Sequence, residues 1–138
     1  YTNIRYGFSF KYPEGYVMKD SGMGTPVIAS SEDKLTPLSQ YLTINARLEN
    51  IYANYDQAVA ALFQQFKEGA KYHLNSSSDS ASVIIGPYSL PESNLQNVYG
   101  KHLYWKYKNG AVTASYQNVS QSEAKIFDQI LSTFKFTD

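Results

Sequence analysis

The stretch SQSEAKIFDQILSTFKF, from Ser120 to Phe136, constrains the fold of this chain more than any other. Ile126, Phe127, Ile130, Leu131 and Phe134 recur at helical spacing, and Lys125, Asp128, Gln129 and Ser132 fall on the opposite side. Ser120 followed three residues later by Glu123 has the form of a capping box, in which hydroxyl and carboxylate each satisfy a backbone N–H at the helix start. A helix of this length is marginal alone in water, so its apolar stripe requires a partner.

Upstream segments supply strands with matching faces. Tyr6, Phe8, Phe10 and Tyr12 alternate with Gly7, Ser9 and Lys11, which predicts a strand with an aromatic inner face. Pro13, Glu14 and Gly15 predict a turn with proline at its first corner, and Tyr16 to Lys19 the returning strand. VIAS at 27 to 30 reads as a short buried strand between two polar loops, DSGMGTP and SSEDKLTPLS. From Tyr41 to Glu49, Leu42, Ile44, Ala46 and Leu48 alternate with Tyr41, Thr43, Asn45, Arg47 and Glu49, as in an antiparallel sheet with one wetter face. Asn54 with Gln57 suggests a second capping box, followed by a helical stripe of Val59, Leu62, Phe63, Phe66 and Ala70 that Gly69 should end. HLNSSSDSAS reads as a connector, VIIG as a buried strand ending at Gly86 and Pro87, and SLPESNLQN as a loop.

Asn109 and Gly110 lie between two alternating runs, as a two-residue hairpin turn demands. That closure predicts Tyr107 opposite Val112, Trp105 opposite Ala114 and Leu103 opposite Tyr116 on a core face. Lys106 with Thr113 and Tyr104 with Ser115 then occupy the other face. The expectation is one α+β domain spanning 1–138, an antiparallel sheet of about six strands with the two helices packed on it and both burying aromatic residues.

At 138 residues and 43% hydrophobic, the chain can bury one core. Twelve basic against twelve acidic residues argue against a nucleic-acid or anionic-lipid surface. Without cysteine there are no disulfides, zinc thiolates or thiol catalysis, and the compartment is left open. No apolar run approaches the roughly 20 residues that span a bilayer. A start at YTN rather than methionine suggests a mature or trimmed form with any signal or anchor upstream.

Chemistry-bearing constellations are sparse. His73 and His102 have no partner at ligand spacing and read as ordinary core or surface histidines. No G-x-S-x-G elbow occurs, Gly22 and Gly24 lack the lysine and helix of a phosphate loop, and Glu32 with Asp33 reads as a solvated pair. Asp20, Glu32 and Asp33 lack the regular spacing of a calcium loop. Asn75 and Asn118 open glycosylation sequons in form only. No catalytic, metal or cofactor residue is assigned. Tyrosine is the one excess, 13 residues, and packing explains most of it. The strand registers place Tyr41, Arg47, His102, Tyr104 and Lys106 on outer sheet faces, where aromatic and cationic side chains could form a partner-binding patch.

YGFSFKYPEGY at the start and FDQILSTFKF at the end resemble the PsbP-like, or Mog1/PsbP-fold, group, especially its small exported bacterial domains behind a lipoprotein or membrane anchor. The order of elements is similar too: an opening hairpin, an early helix, a long late hairpin and a closing helix. Tyr16 stands where a tryptophan commonly follows the YP turn, and a photosystem role is not expected. The resemblance implies a non-enzymatic binding or assembly module outside the cytoplasm, a monomer reaching the membrane only through an upstream anchor, with a protein or cell-surface glycan as partner. A cell-wall or glycan-acting hydrolase and a structural domain of a surface protein are the alternatives.

Overall fold

The structure is a computed structural model describing residues 1–4, 7–20, 25–35, 40–45, 55–66, 69, 71–107 and 110–136. In chain order its strands are β1 (Thr2–Asn3), β2 (Phe8–Ser9), β3 (Val17–Lys19), β4 (Val27–Ala29), β5 (Leu42–Asn45), β6 (Tyr72–Ser76), β7 (Ser80–Leu90), β8 (Leu95–Tyr107), β9 (Gly110–Val119) and β10 (Lys135–Phe136). Helix α1 (Tyr55–Gln65) follows β5, and α2 (Gln121–Ser132) follows β9. Seven strands form one antiparallel sheet in the order β3-β4-β5-β9-β8-β7-β6, and β1, β2 and β10 form a smaller one.

The registers show how one large sheet serves two helices. Ile44 pairs with Ala114, which pairs with Leu103, so these side chains share a face. With Val112, Tyr116, Ile28 and Leu42 they pack against Phe127, Ile130 and Leu131 of α2, Phe8 of the small sheet and Phe10 just after it. Phe127 is fully buried, and each such side chain contributes roughly 1.5–3 kcal/mol of hydrophobic stabilisation. Trp105 stacks on Phe134 at 4.2 Å and Tyr107 on Phe136 at 4.1 Å, so the chain following α2 closes the same layer. On the opposite face His102 pairs with Val83 and Ser115, and Phe66, just beyond α1, stacks on the His102 ring at 5.0 Å. Tyr55, Ala58 and Leu62 are the buried residues of α1.

Several expectations are corrected. The strand read from Tyr6 to Tyr12 shortens to Phe8–Ser9: Phe8 and Phe10 are buried, Tyr12 is exposed, and Tyr6 lies outside the described residues. Its return partner is not β3, which joins β4 in the large sheet; β2 pairs instead with β1 and the chain end, β10. The turn exists, with Tyr16 N–H donating to Pro13 O at 3.2 Å and Gly15 at φ +90°, so Glu14 and Gly15 are its corners and Pro13 precedes them. HLNSSSDSAS is a hairpin rather than a connector, because Tyr72 to Ser76 pairs with β7. That strand continues past the cis Gly86–Pro87 bond to Leu90, with its register shifting there, so Gly86 does not end it.

The late hairpin closes on the pair Tyr107–Gly110, with Trp105 opposite Val112. This is two residues away from an Asn-Gly closure. An even shift leaves every side chain on its expected face, which is why the core assignment survives the register error. In α2, Ser120 Oγ accepts from Glu123 N–H at 3.2 Å, but the Glu123 carboxylate takes the Tyr16 hydroxyl at 2.8 Å, so only half of a capping box forms. The Asn54 cap and the Ala70 end of the first helical stripe lie outside the described residues; α1 ends at Gln65, before Gly69.

Candidate functional site

Strand alternation and pairing decide which expected patch residues come together. Thr43 pairs with Ser115, which pairs with His102, and Tyr41 shares their side of the sheet by the two-residue period. Tyr41, Thr43, His102, Ser115 and Gln117 line a depression of about 150 Å³. Tyr104, opposite Thr113, continues the face, and the exposed Lys106 follows, its N–H donating to Asp79 O at 2.8 Å. Arg47 lies outside the described residues. This face is not wholly outer, as the sequence suggested, because Phe66 roofs the His102 end. Burial pushes the His102 pKa below its usual value, favouring a neutral imidazole able to donate from one ring nitrogen and accept at the other. The two histidines cannot share an ion: His73, opposite Ile84, is on the other face. Among the described residues no cluster of three or more acidic or imidazole groups could hold a metal.

The tyrosine excess resolves mostly into packing with pinned hydroxyls. Tyr16 donates to Glu123, and burial followed by that carboxylate pushes its pKa up to about 12. Tyr1 donates to Asp20, and burial followed by that bond likewise pushes it up to about 12. Tyr116 donates to Asp128 Oδ1 at 3.1 Å, where Lys101 Nζ also lies at 3.1 Å; burial first, and then the carboxylate, pushes the phenol upward.

A second recess, of about 310 Å³, is formed by residues that no sequence motif groups together. It opens between the segment after β4, the β7–β8 turn and the junction of β9 with α2. Ser30, Gln40, Asn94, Gln96 and Ser120 supply neutral hydrogen-bonding groups, and Leu95, Val98 and Val119 an aliphatic floor. Asn94, Asn97 and Asn118 all adopt positive φ, between 53° and 59°. Asn118 is held by Tyr88, whose hydroxyl donates to Asn118 Oδ1 at 2.7 Å and accepts from its N–H at 2.8 Å; Gln40 Nε2 donates to Asn118 O at 3.0 Å. The asparagines were the available signal, since asparagine tolerates the left-handed region better than most residues.

No protein-family model matches the chain, nor does any curated protein. A solved structure, that of cyanobacterial PsbP from Synechocystis sp. PCC 6803, is similar over 99% of this chain and 90% of that one, at 11% identity and a TM-score of 0.49. It belongs to the group that the opening and closing segments resemble. A likeness this distant transfers neither activity nor partner.

Proposed function

We propose that the protein is a non-enzymatic binding or assembly module that works as one domain outside the cytoplasm, tethered through a segment upstream of Tyr1. Its partner is a protein or a cell-surface glycan, engaged through the face carrying Tyr41, His102, Tyr104 and Lys106, with Arg47 as a further contact expected from the sequence. One observation supports this most: Tyr41 and His102, 61 positions apart in sequence, line a single depression with Thr43 and Ser115. An aromatic ring, a neutral imidazole and two hydroxyls there offer apolar area with hydrogen-bond donors and acceptors, the mixture that partner surfaces use. The test combines Tyr41→Ala, Arg47→Ala and Tyr104→Ala and compares capture of partners from a cell-envelope extract with that by the parent chain. Loss of capture with an unchanged melting curve supports the patch, and undiminished capture refutes it.

A further inference from the structure

The recess at the α2 end holds an unsatisfied acceptor. Glu123 Oε2 takes the Tyr16 hydroxyl, while Glu123 Oε1, shielded from solvent, has no hydrogen-bond partner among the described residues. A carboxylate oxygen withdrawn from water without a donor is unfavourable, and a turn of the Glu123 carboxyl toward the recess would let a ligand N–H relieve it. Glu123 lies on the wall of the recess beside Ser120, above the floor of Leu95, Val98 and Val119. Val98 and Val119 are almost completely buried, so that floor belongs to the core.

We propose that this recess binds a short extended peptide segment, seating one aliphatic side chain on Leu95, Val98 and Val119 while its backbone amides pair with Gln40, Gln96 and Glu123. Three features select a peptide. Side-chain amides offer a donor and an acceptor together, the complement of a peptide bond. The orphan carboxylate oxygen requires an N–H or O–H donor. The floor is aliphatic, with no aromatic ring among the described lining residues, whereas a sugar face calls for an aromatic platform. The volume, about 310 Å³, is at the lower end of ligand pockets, enough for a few residues and too small for a folded partner. Lys34 and Glu123 are the charged groups of the lining and balance each other, which favours a segment without net charge. The site is separate from the Tyr41–His102 face and does not depend on it.

The experiment titrates isotopically labelled protein with an acetylated, amidated tripeptide carrying a central leucine and follows backbone amide shifts. Matched arms carry a central glutamate or replace the peptide with a neutral oligosaccharide. The leucine peptide should shift amides of 95–98 and 119–123 saturably, and the two other arms should not. Gln96→Ala, on an exposed rim residue, should weaken binding about three- to tenfold, the equivalent of one lost hydrogen bond. The patch triple variant should bind the peptide as the parent does. Absence of saturable shifts, equal binding of the glutamate peptide or oligosaccharide, or unchanged affinity in a folded Gln96→Ala variant would each overturn the proposal.

Discussion

Replacing Phe127 by alanine is the sharpest test of how α2 is held. The ring has no solvent exposure, lies 5.5 Å from the Tyr116 ring, and packs in the layer that includes Phe8, Ile44 and Val112. Removing it forfeits the transfer free energy of the missing atoms and leaves a cavity that the sheet on one side and the helix backbone on the other can fill only in part. Substitutions of this kind cost about 3–5 kcal/mol, a large share of the roughly 5–15 kcal/mol that holds a domain folded. For a chain of this size that corresponds to a melting temperature lower by about 10–20 °C. Urea unfolding followed by far-ultraviolet circular dichroism and by Trp105 fluorescence measures it, with Gln129→Ala on the exposed side as a control expected within about 0.5 kcal/mol. Ile126→Ala, at a half-buried position, should fall between the two. A Phe127→Ala cost below about 1 kcal/mol would refute the packing described, as would a larger cost at Ile126 than at Phe127.

Gly86→Ala should destabilise by about 1–3 kcal/mol, because Gly86 has φ +123° and an added Cβ would meet Val98 O at 2.8 Å; chemical denaturation measures this. Tyr16 keeps its proton to about pH 12 when folded, whereas an unfolded tyrosine loses it near 10, so its contribution is complete below pH 10 and is lost as pH rises through that window. Tyr16→Phe should therefore flatten the alkaline fall in stability, seen in melting curves across that range. His102 runs the other way: its folded pKa is depressed below the ordinary value near 6.5, so the unfolded chain takes up the proton first as pH falls. Its contribution is complete above that value and declines below it, and the ring resonances of His102 should titrate at a pH below that of a free histidine.

Periodicity made the core legible because burial is what periodicity encodes. Phe127, Ile130, Leu131, Leu42 and Ile44 lie inward as their spacing predicts, and Phe134 joins the same core although α2 ends before it, at Ser132. Pairing was harder to read. Nothing local in Tyr16–Lys19 states that β3 joins β4 rather than β2, since that choice depends on residues far along the chain, including Lys135 and Phe136. The serine-rich segment at 75 to 82 concealed a hairpin because both strands there are polar, and polar strands show no alternation of hydrophobicity. Of the patch, strand alternation gives the side on which Tyr41, His102 and Tyr104 each lie within its own strand, whereas Phe66 lying over His102 depends on a contact between distant segments that no local pattern carries. The recess has no continuous sequence signature because its walls come from three separated segments, and only positive-φ asparagines mark it locally.

The claim on which the fold and the Tyr41–His102 face rest is that the large sheet is covered by different partners on its two faces. A nuclear Overhauser spectrum of aromatic protons tests it directly. Cross-peaks should link the Phe66 and His102 rings, 5.0 Å apart between centroids, and separately the Phe134 and Trp105 rings, 4.2 Å apart, with none between the two pairs. A cross-peak from His102 to Phe134 or Phe127, or none from His102 to Phe66, would contradict the arrangement and remove the Tyr41–His102 face with it.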